Sequence, residues 1–123
     1  MSVARGEIDA ICAAFPGAVL SGPGELDAWK VGGKMFACFG HEETRTENAA
    51  AVSVKCPDVE TAEMLIGTGA AGKAAYFHRS WVSLSMPDLR PDEARHRLAV
   101  SYDKVRAGLP AATRGTLAPR EGA

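Results

Sequence analysis

Two adjacent glycines, Gly32-Gly33, separate two short apolar runs at residues 27–31 and 34–40. A link of two residues leaves no room for a crossover, so the flanking runs must pair antiparallel. Turns this tight place φ above zero at one or both central residues, which glycine adopts without penalty. In the first run, alternation puts Trp29 and Val31 on one face. The return run carries Met35, Phe36, Cys38 and Phe39. Any fold of this chain therefore contains a hairpin here, and the remaining segments must cover its apolar face.

Helical segments lie on both sides of it. Ile8, Ile11, Cys12 and Phe15 recur at helical spacing, which predicts a helix over 3–15, ended by Pro16-Gly17. Glu7 and Asp9 fall in its early turns, where the helix dipole favours acids. Residues 41–48 are polar and read as a loop that contains His41. Residues 50–55 alternate as a third strand, with Val52 and Val54 inward and Ser53 and Lys55 outward. Pro57 opens a second helix whose buried stripe is Val59, Ala62, Leu65 and Ile66, and Gly67 caps it. Residues 68–72 read as a flexible loop. Residues 76–86 read as a second hairpin, with Val82, Leu84 and Met86 on one face. A third helix runs over 91–109, with Ala94, Leu98, Ser101, Tyr102, Val105 and Leu109 inward, and Pro110 stops it.

The order helix, three strands, helix, two strands, helix predicts an α+β two-layer sandwich. It has a mostly antiparallel sheet of about five strands with the helices on one face. The chain is 123 residues, which fits one domain. The domain is expected over 1–110, with a flexible C-terminal tail over 111–123.

The formal net charge is -1, so no global field draws the chain to nucleic acid or membrane. The charge is uneven, however. Residues 1–63 carry 5 Lys/Arg and 10 Asp/Glu, while residues 64–123 carry 9 and 5. A fold that separates the halves would have one basic face; a fold that interleaves them would cancel the difference. Cys12, Cys38 and Cys56 are too few and too far apart for a disulfide framework or a zinc site, and each sits in an apolar pattern. No apolar run is long enough to span a bilayer, and no secretory signal is present. A cytoplasmic protein is expected.

Catalytic and metal-binding patterns are sparse. Residues 67–72 match G-x-G-x-x-G but follow a helix and lead to a strand, the reverse of a dinucleotide site. His41, His78 and His96 have no metal spacing with each other or with the cysteines. His78 has no nucleophile or carboxylate at a recognisable catalytic offset. The expectation is therefore a non-enzyme with no catalytic residue, no metal and no cofactor. What does stand out is cations interleaved with rings: Lys73, Tyr76, His78, Arg79 and Trp81 on or beside the second hairpin, and Lys30 and Lys34 flanking the first turn near Trp29. Such a pattern suits phosphate contact and base stacking. The competing reading is that Trp29, Tyr76 and Trp81 are core aromatics and the cations simply meet water.

Several short stretches, taken in order, carry a resemblance. They are Phe15-Pro16-Gly17-Ala18, Trp29-Lys30-Val31, Gly33-Lys34-Met35-Phe36-Ala37, Val52-Ser53-Val54-Lys55-Cys56, His78 to Val82, Ser101-Tyr102 and Leu109-Pro110. Across about residues 7–114 the chain resembles the MmcQ/YjbR family of small bacterial proteins. The resemblance implies a compact α+β fold similar to the frataxin-like CyaY sandwich. It also implies a double-wing arrangement of two hairpins and, with it, DNA binding. Lys34, Lys73, His78 and Arg79 would contact phosphate, and Tyr76 or Trp81 would pack on sugar or base.

Two other readings are open. One is a protein or small molecule held in a groove lined by Trp29, Tyr76, Phe77 and Trp81. The other is self-association without a ligand, with no residues assigned to it; the chain is expected to be a monomer or weak homodimer. No membrane partner is expected.

Overall fold

The computed structural model describes residues 3–39, 51–74 and 77–120. The polar loop read at 41–48, with His41, lies outside the described residues, as does Tyr76. The strands are β1 (Val19–Leu20), β2 (Ala28–Val31), β3 (Lys34–Phe39), β4 (Ala51–Lys55), β5 (Gly72–Lys73) and β6 (Trp81–Ser85). The helices are α1 (Arg5–Ala13), α2 (Val59–Gly67), α3 (Pro91–Ala107) and the short α4 (Ala111–Arg114). The strands form one sheet in the order β1-β2-β3-β4-β6-β5, and all its pairs are antiparallel.

The α+β sandwich is as the sequence implies, but the described sheet has six strands where about five are expected. The difference lies in two strands of two residues each. β1 is a short edge held by Ser21, whose N–H donates to the Ala28 carbonyl (2.8 Å) and whose Oγ accepts from the Ala28 N–H (3.0 Å). β5 falls where a flexible loop is expected. It pairs Gly72 with Ser83 and Lys73 with Val82. Gly72 supplies no side chain to alternate, so only main-chain pairing defines this strand. The second hairpin thus pairs 72–73 with β6, and the residues just before Trp81 belong to its connection. The Trp81 N–H closes that turn on the His78 carbonyl at 2.9 Å.

Register explains the core. Ala37, Val54 and Val82 stand side by side on β3, β4 and β6, and Phe39, Val52 and Leu84 form the next row. All six are buried. Ile8 and Cys12 of α1 and Leu98 and Tyr102 of α3 close over them in a single cluster. α3 crosses β2, β3 and β4, α1 packs on α3, and α2 lies along β5 and β6. Each fully buried valine or leucine here contributes roughly 1.5–3 kcal/mol of transfer free energy.

Each helix start has a local cause. Glu7 reaches back to accept the Ala4 N–H at 2.9 Å. Asp58 caps α2 by accepting the Thr61 N–H at 2.7 Å; the Thr61 side chain first, and then this N–H, hold the Asp58 carboxyl below the usual range. Pro91 opens α3, with Asp92 and Glu93 in its first turn and Lys104 and Arg106 in its last, the order a helix dipole favours.

Past Pro110 the chain continues over the body. Leu117 packs on the core, and the Arg120 guanidinium grips the Asp103 carboxylate through two bonds of 2.6 Å.

Candidate functional site

The chemistry collects where β3 begins and β4 ends. The register of β2 on β3 slips between Trp29 and Lys30: Trp29 pairs with Ala37, but Lys30 pairs with Met35. Phe36 is therefore an extra residue, a bulge, and it turns inward with Ala37. Its ring meets Phe15 and Tyr102, with centroids 5.8 and 5.3 Å away.

On the other side of β3, the ladder with β4 runs from Phe39 to Ala37 and goes no further. One step beyond, Phe36 would face Lys55. Ser101 of α3 stands there instead. Its hydroxyl donates to the Phe36 carbonyl (2.6 Å) and accepts from the Lys55 N–H (2.9 Å). A helix side chain thus completes two sheet groups that the bulge leaves unpaired. Ser101 is fully buried.

Lys55 then leaves the sheet end held by its backbone. Its ammonium donates to Ser80 Oγ at 2.8 Å. The Ser80 N–H donates to His78 Nδ1 at 3.1 Å, so Nδ1 is an acceptor and the ring proton of neutral His78 sits on Nε2. The Ser80 hydroxyl, 3.0 Å from the same nitrogen, donates to it. This relay fixes the turn before β6. It also commits the Ser80 hydroxyl, which is buried. Burial holds the Lys55 ammonium below the ordinary lysine range, and the nearby charge of Lys104 adds to that.

The strand end opens onto a groove of about 360 Å³ lined by Lys34, Met35, Lys55, Phe77, Trp81 and Lys104, among others. Lys34 and Met35 follow the Gly32-Gly33 turn, Phe77 and Trp81 belong to the second hairpin, and Lys104 comes from the last turn of α3. No acidic side chain is among the described residues that line it. Trp81 is 9% exposed and stacks on Phe77, with centroids 4.4 Å apart and planes at 21°. The same ring pair forms one wall of a second cavity of about 310 Å³, where Lys73, His78 and Arg79 meet Glu63 and Ile66 of α2.

The residues singled out from sequence are thus distributed around one ring pair. Lys34 lies on one side, Lys73, His78 and Arg79 lie on the other, and Trp81 lies between. Lys34, Lys73, His78 and Arg79 are exposed. Trp29 does not join them. It is buried, and its indole N–H donates to Asp9 Oδ1 of α1 at 2.9 Å. Trp29 is therefore not among the described residues that line a groove with Phe77 and Trp81, and Tyr76 lies outside the described residues. Sequence reading missed Lys55 and Lys104. Lys55 reads in sequence only as an outward residue of a strand, and nothing in the last helix singles out Lys104; their meeting depends on α3 crossing β3 and β4.

Among the described residues, no three His, Cys, Asp or Glu side chains gather as a metal site would require. No helix among them is long and apolar enough to cross a membrane.

A six-stranded antiparallel sheet with a helical layer, its two hairpins converging at one end, defines a small α+β sandwich. The YjbR family model matches residues 13–104, and the chain belongs to that family. The fold is shared with the crystal structure of Deinococcus radiodurans protein DR2400, described as a DUF419 domain. The TM-score is 0.70 at 19% identity, covering 89% of this chain and 83% of that one. No curated protein matches the chain.

Proposed function

We propose that this YjbR-family protein is a non-enzymatic, cytoplasmic domain that binds DNA through the basic end of its sheet. The observation that carries the reading is the convergence of both hairpins on one spot. Lys34 from the first and Phe77 and Trp81 from the second border a single groove, with Lys55 and Lys104 between them. Lys73 and Arg79 extend the same basic edge past the ring pair. The surface is local, which is how a chain of net charge -1 can meet a polyanion.

The ring pair sets the manner of contact. Trp81 is too enclosed to insert between base pairs, so the rings support the cations and offer an edge to sugar or base. Phosphate contacts would dominate, with little sequence preference.

Fluorescence anisotropy with a labelled duplex, measured across a salt series, tests this. Five cations on phosphates give a log–log slope of about −4.5, at about −0.9 for each phosphate neutralised. Lys34→Gln and Arg79→Gln each flatten the slope by about 0.9. Absence of duplex binding at low salt would reject the reading.

A further inference from the structure

Some cations elsewhere on the molecule meet acids, while Lys73, Arg79, Arg95, Arg106 and Arg114 meet none among the described residues. Arg5 pairs with Asp9 and Asp27, Lys30 with Glu25, Arg97 with Glu93 and Arg120 with Asp103. Lys34, Lys55 and Lys104 have no such partner among the described residues. They are brought to one groove by three different elements. Lys55 is also pinned by Ser80, so it cannot swing away from Lys104 without losing that bond. The charge of Lys104 disfavours that of Lys55, Lys34 lines the same groove, and an anion bound there would be attracted by all three.

The shape and charge narrow the anion. A phosphodiester brings one negative charge, whereas a terminal phosphomonoester brings about −1.5 to −2 near neutral pH and three acceptor oxygens. Three lysines lining one groove match the second better. Beside them, Met35 and the Phe77–Trp81 pair form an apolar wall that a planar ring can cover. The second cavity is a poorer match, because the Glu63 carboxylate borders it.

We propose that the groove bounded by Lys34, Lys55 and Lys104 binds a terminal phosphomonoester attached to a nucleoside, whose base lies against Met35 and the Phe77–Trp81 pair. The phosphate can come from a free nucleoside monophosphate or from the 5′ end of a strand. The inference rests on the nucleic-acid reading for the identity of the ring, and it adds a preference that duplex binding alone does not require.

Titration calorimetry on the full chain separates the possibilities. The probes are a single-stranded oligonucleotide with a 5′-phosphate, the same strand with a 5′-hydroxyl, free adenosine monophosphate and inorganic phosphate. The phosphorylated strand is expected to bind at least about tenfold tighter than the hydroxyl strand, as charge-assisted contacts to a dianion imply. Lys104→Gln, on the exposed side of α3, should erase that difference without unfolding the domain, and Lys55→Arg should keep most of it. If adenosine monophosphate alone binds and depends on Lys104, the groove is supported with the free nucleotide as its source. Equal affinity for both strands together with no binding of the mononucleotide overturns the proposal. Inorganic phosphate binding as tightly as the mononucleotide overturns it too, because the ring would then contribute nothing. Either failure leaves salt-dependent duplex binding intact and so is distinct from failure of the broader reading.

Discussion

The Ser101 hydroxyl accepts the backbone N–H of Lys55 at 2.9 Å and so joins a helix to the end of a strand. The same hydroxyl donates to the Phe36 carbonyl. Ser101→Ala strips both partners and leaves a buried N–H and a buried C=O unpaired. The expected cost is about 2–3 kcal/mol, read as a lower denaturation midpoint with an unchanged slope. A change below about 0.5 kcal/mol, the scale of an ordinary surface substitution, would mean that Ser101 is not the clamp described.

Gly32 and Gly33 share positive φ angles, 58° and 82°, yet differ in their surroundings. A Cβ on Gly32 would lie 2.7 Å from Leu109 Cδ1, while one on Gly33 meets nothing within 4 Å. Gly33→Ala should therefore cost only the backbone penalty, about 1 kcal/mol. Gly32→Ala should cost roughly 1–3 kcal/mol more, because the buried Leu109 side chain must give way. Equal thermal midpoints for the two variants would contradict this packing of Leu109 on the turn.

Arg5 ties α1 to the start of β2. Its guanidinium makes two bonds to Asp27, at 2.8 and 2.9 Å, and one to Asp9 at 3.0 Å, with its Cζ 3.5 Å from the Phe39 ring centroid. The ion pairs are partly solvated, so their worth is modest; the fork and the ring contact add to it. Arg5→Ala should lose about 1–2 kcal/mol. Arg5→Lys should recover less than half of that, since an ammonium cannot span both carboxylates. Full rescue by lysine in chemical denaturation would show that charge alone matters.

Lys55 offers a pH signature. Burial, then Lys104, disfavour its charged form in the folded protein. In the unfolded chain it titrates near the ordinary value, about 10.4. Below its folded midpoint both states are protonated and the folded state carries the full penalty. Between the folded midpoint and about 10.4 the unfolded state holds more protons, so this group makes stability rise with pH. Carbon NMR of the Lys55 side chain should give a midpoint below that of an ordinary lysine, moving upward in Lys104→Gln. A midpoint that ignores Lys104 would break the link between the two ammoniums.

Much of this was legible in the chain itself. Gly32-Gly33 specified the first hairpin, and alternation placed Val52, Val54, Val82 and Leu84 inward as the register has them. Helical spacing identified Ala94, Leu98, Ser101 and Tyr102 as one buried face. Gly72–Lys73 left no side-chain trace, because a two-residue strand with glycine in it is defined by pairing alone. The charge asymmetry of the two halves did not map onto faces. β4 from the acidic half pairs with β6 from the basic half, and the groove draws lysines from both. Trp29 and Trp81 looked alike in sequence. Only tertiary contact separates a tryptophan bonded to Asp9 inside the body from one that walls two cavities.

The most direct measurement is a residue-resolved map of the contact surface. Amide NMR spectra recorded while a short duplex is added at low salt should shift Lys34, Met35, Lys55, Phe77, Trp81 and Lys104 together, and added salt should reverse those shifts. Perturbations confined to β1 and the outer side of α1, or none at all, would contradict the assignment of this sheet end as the site.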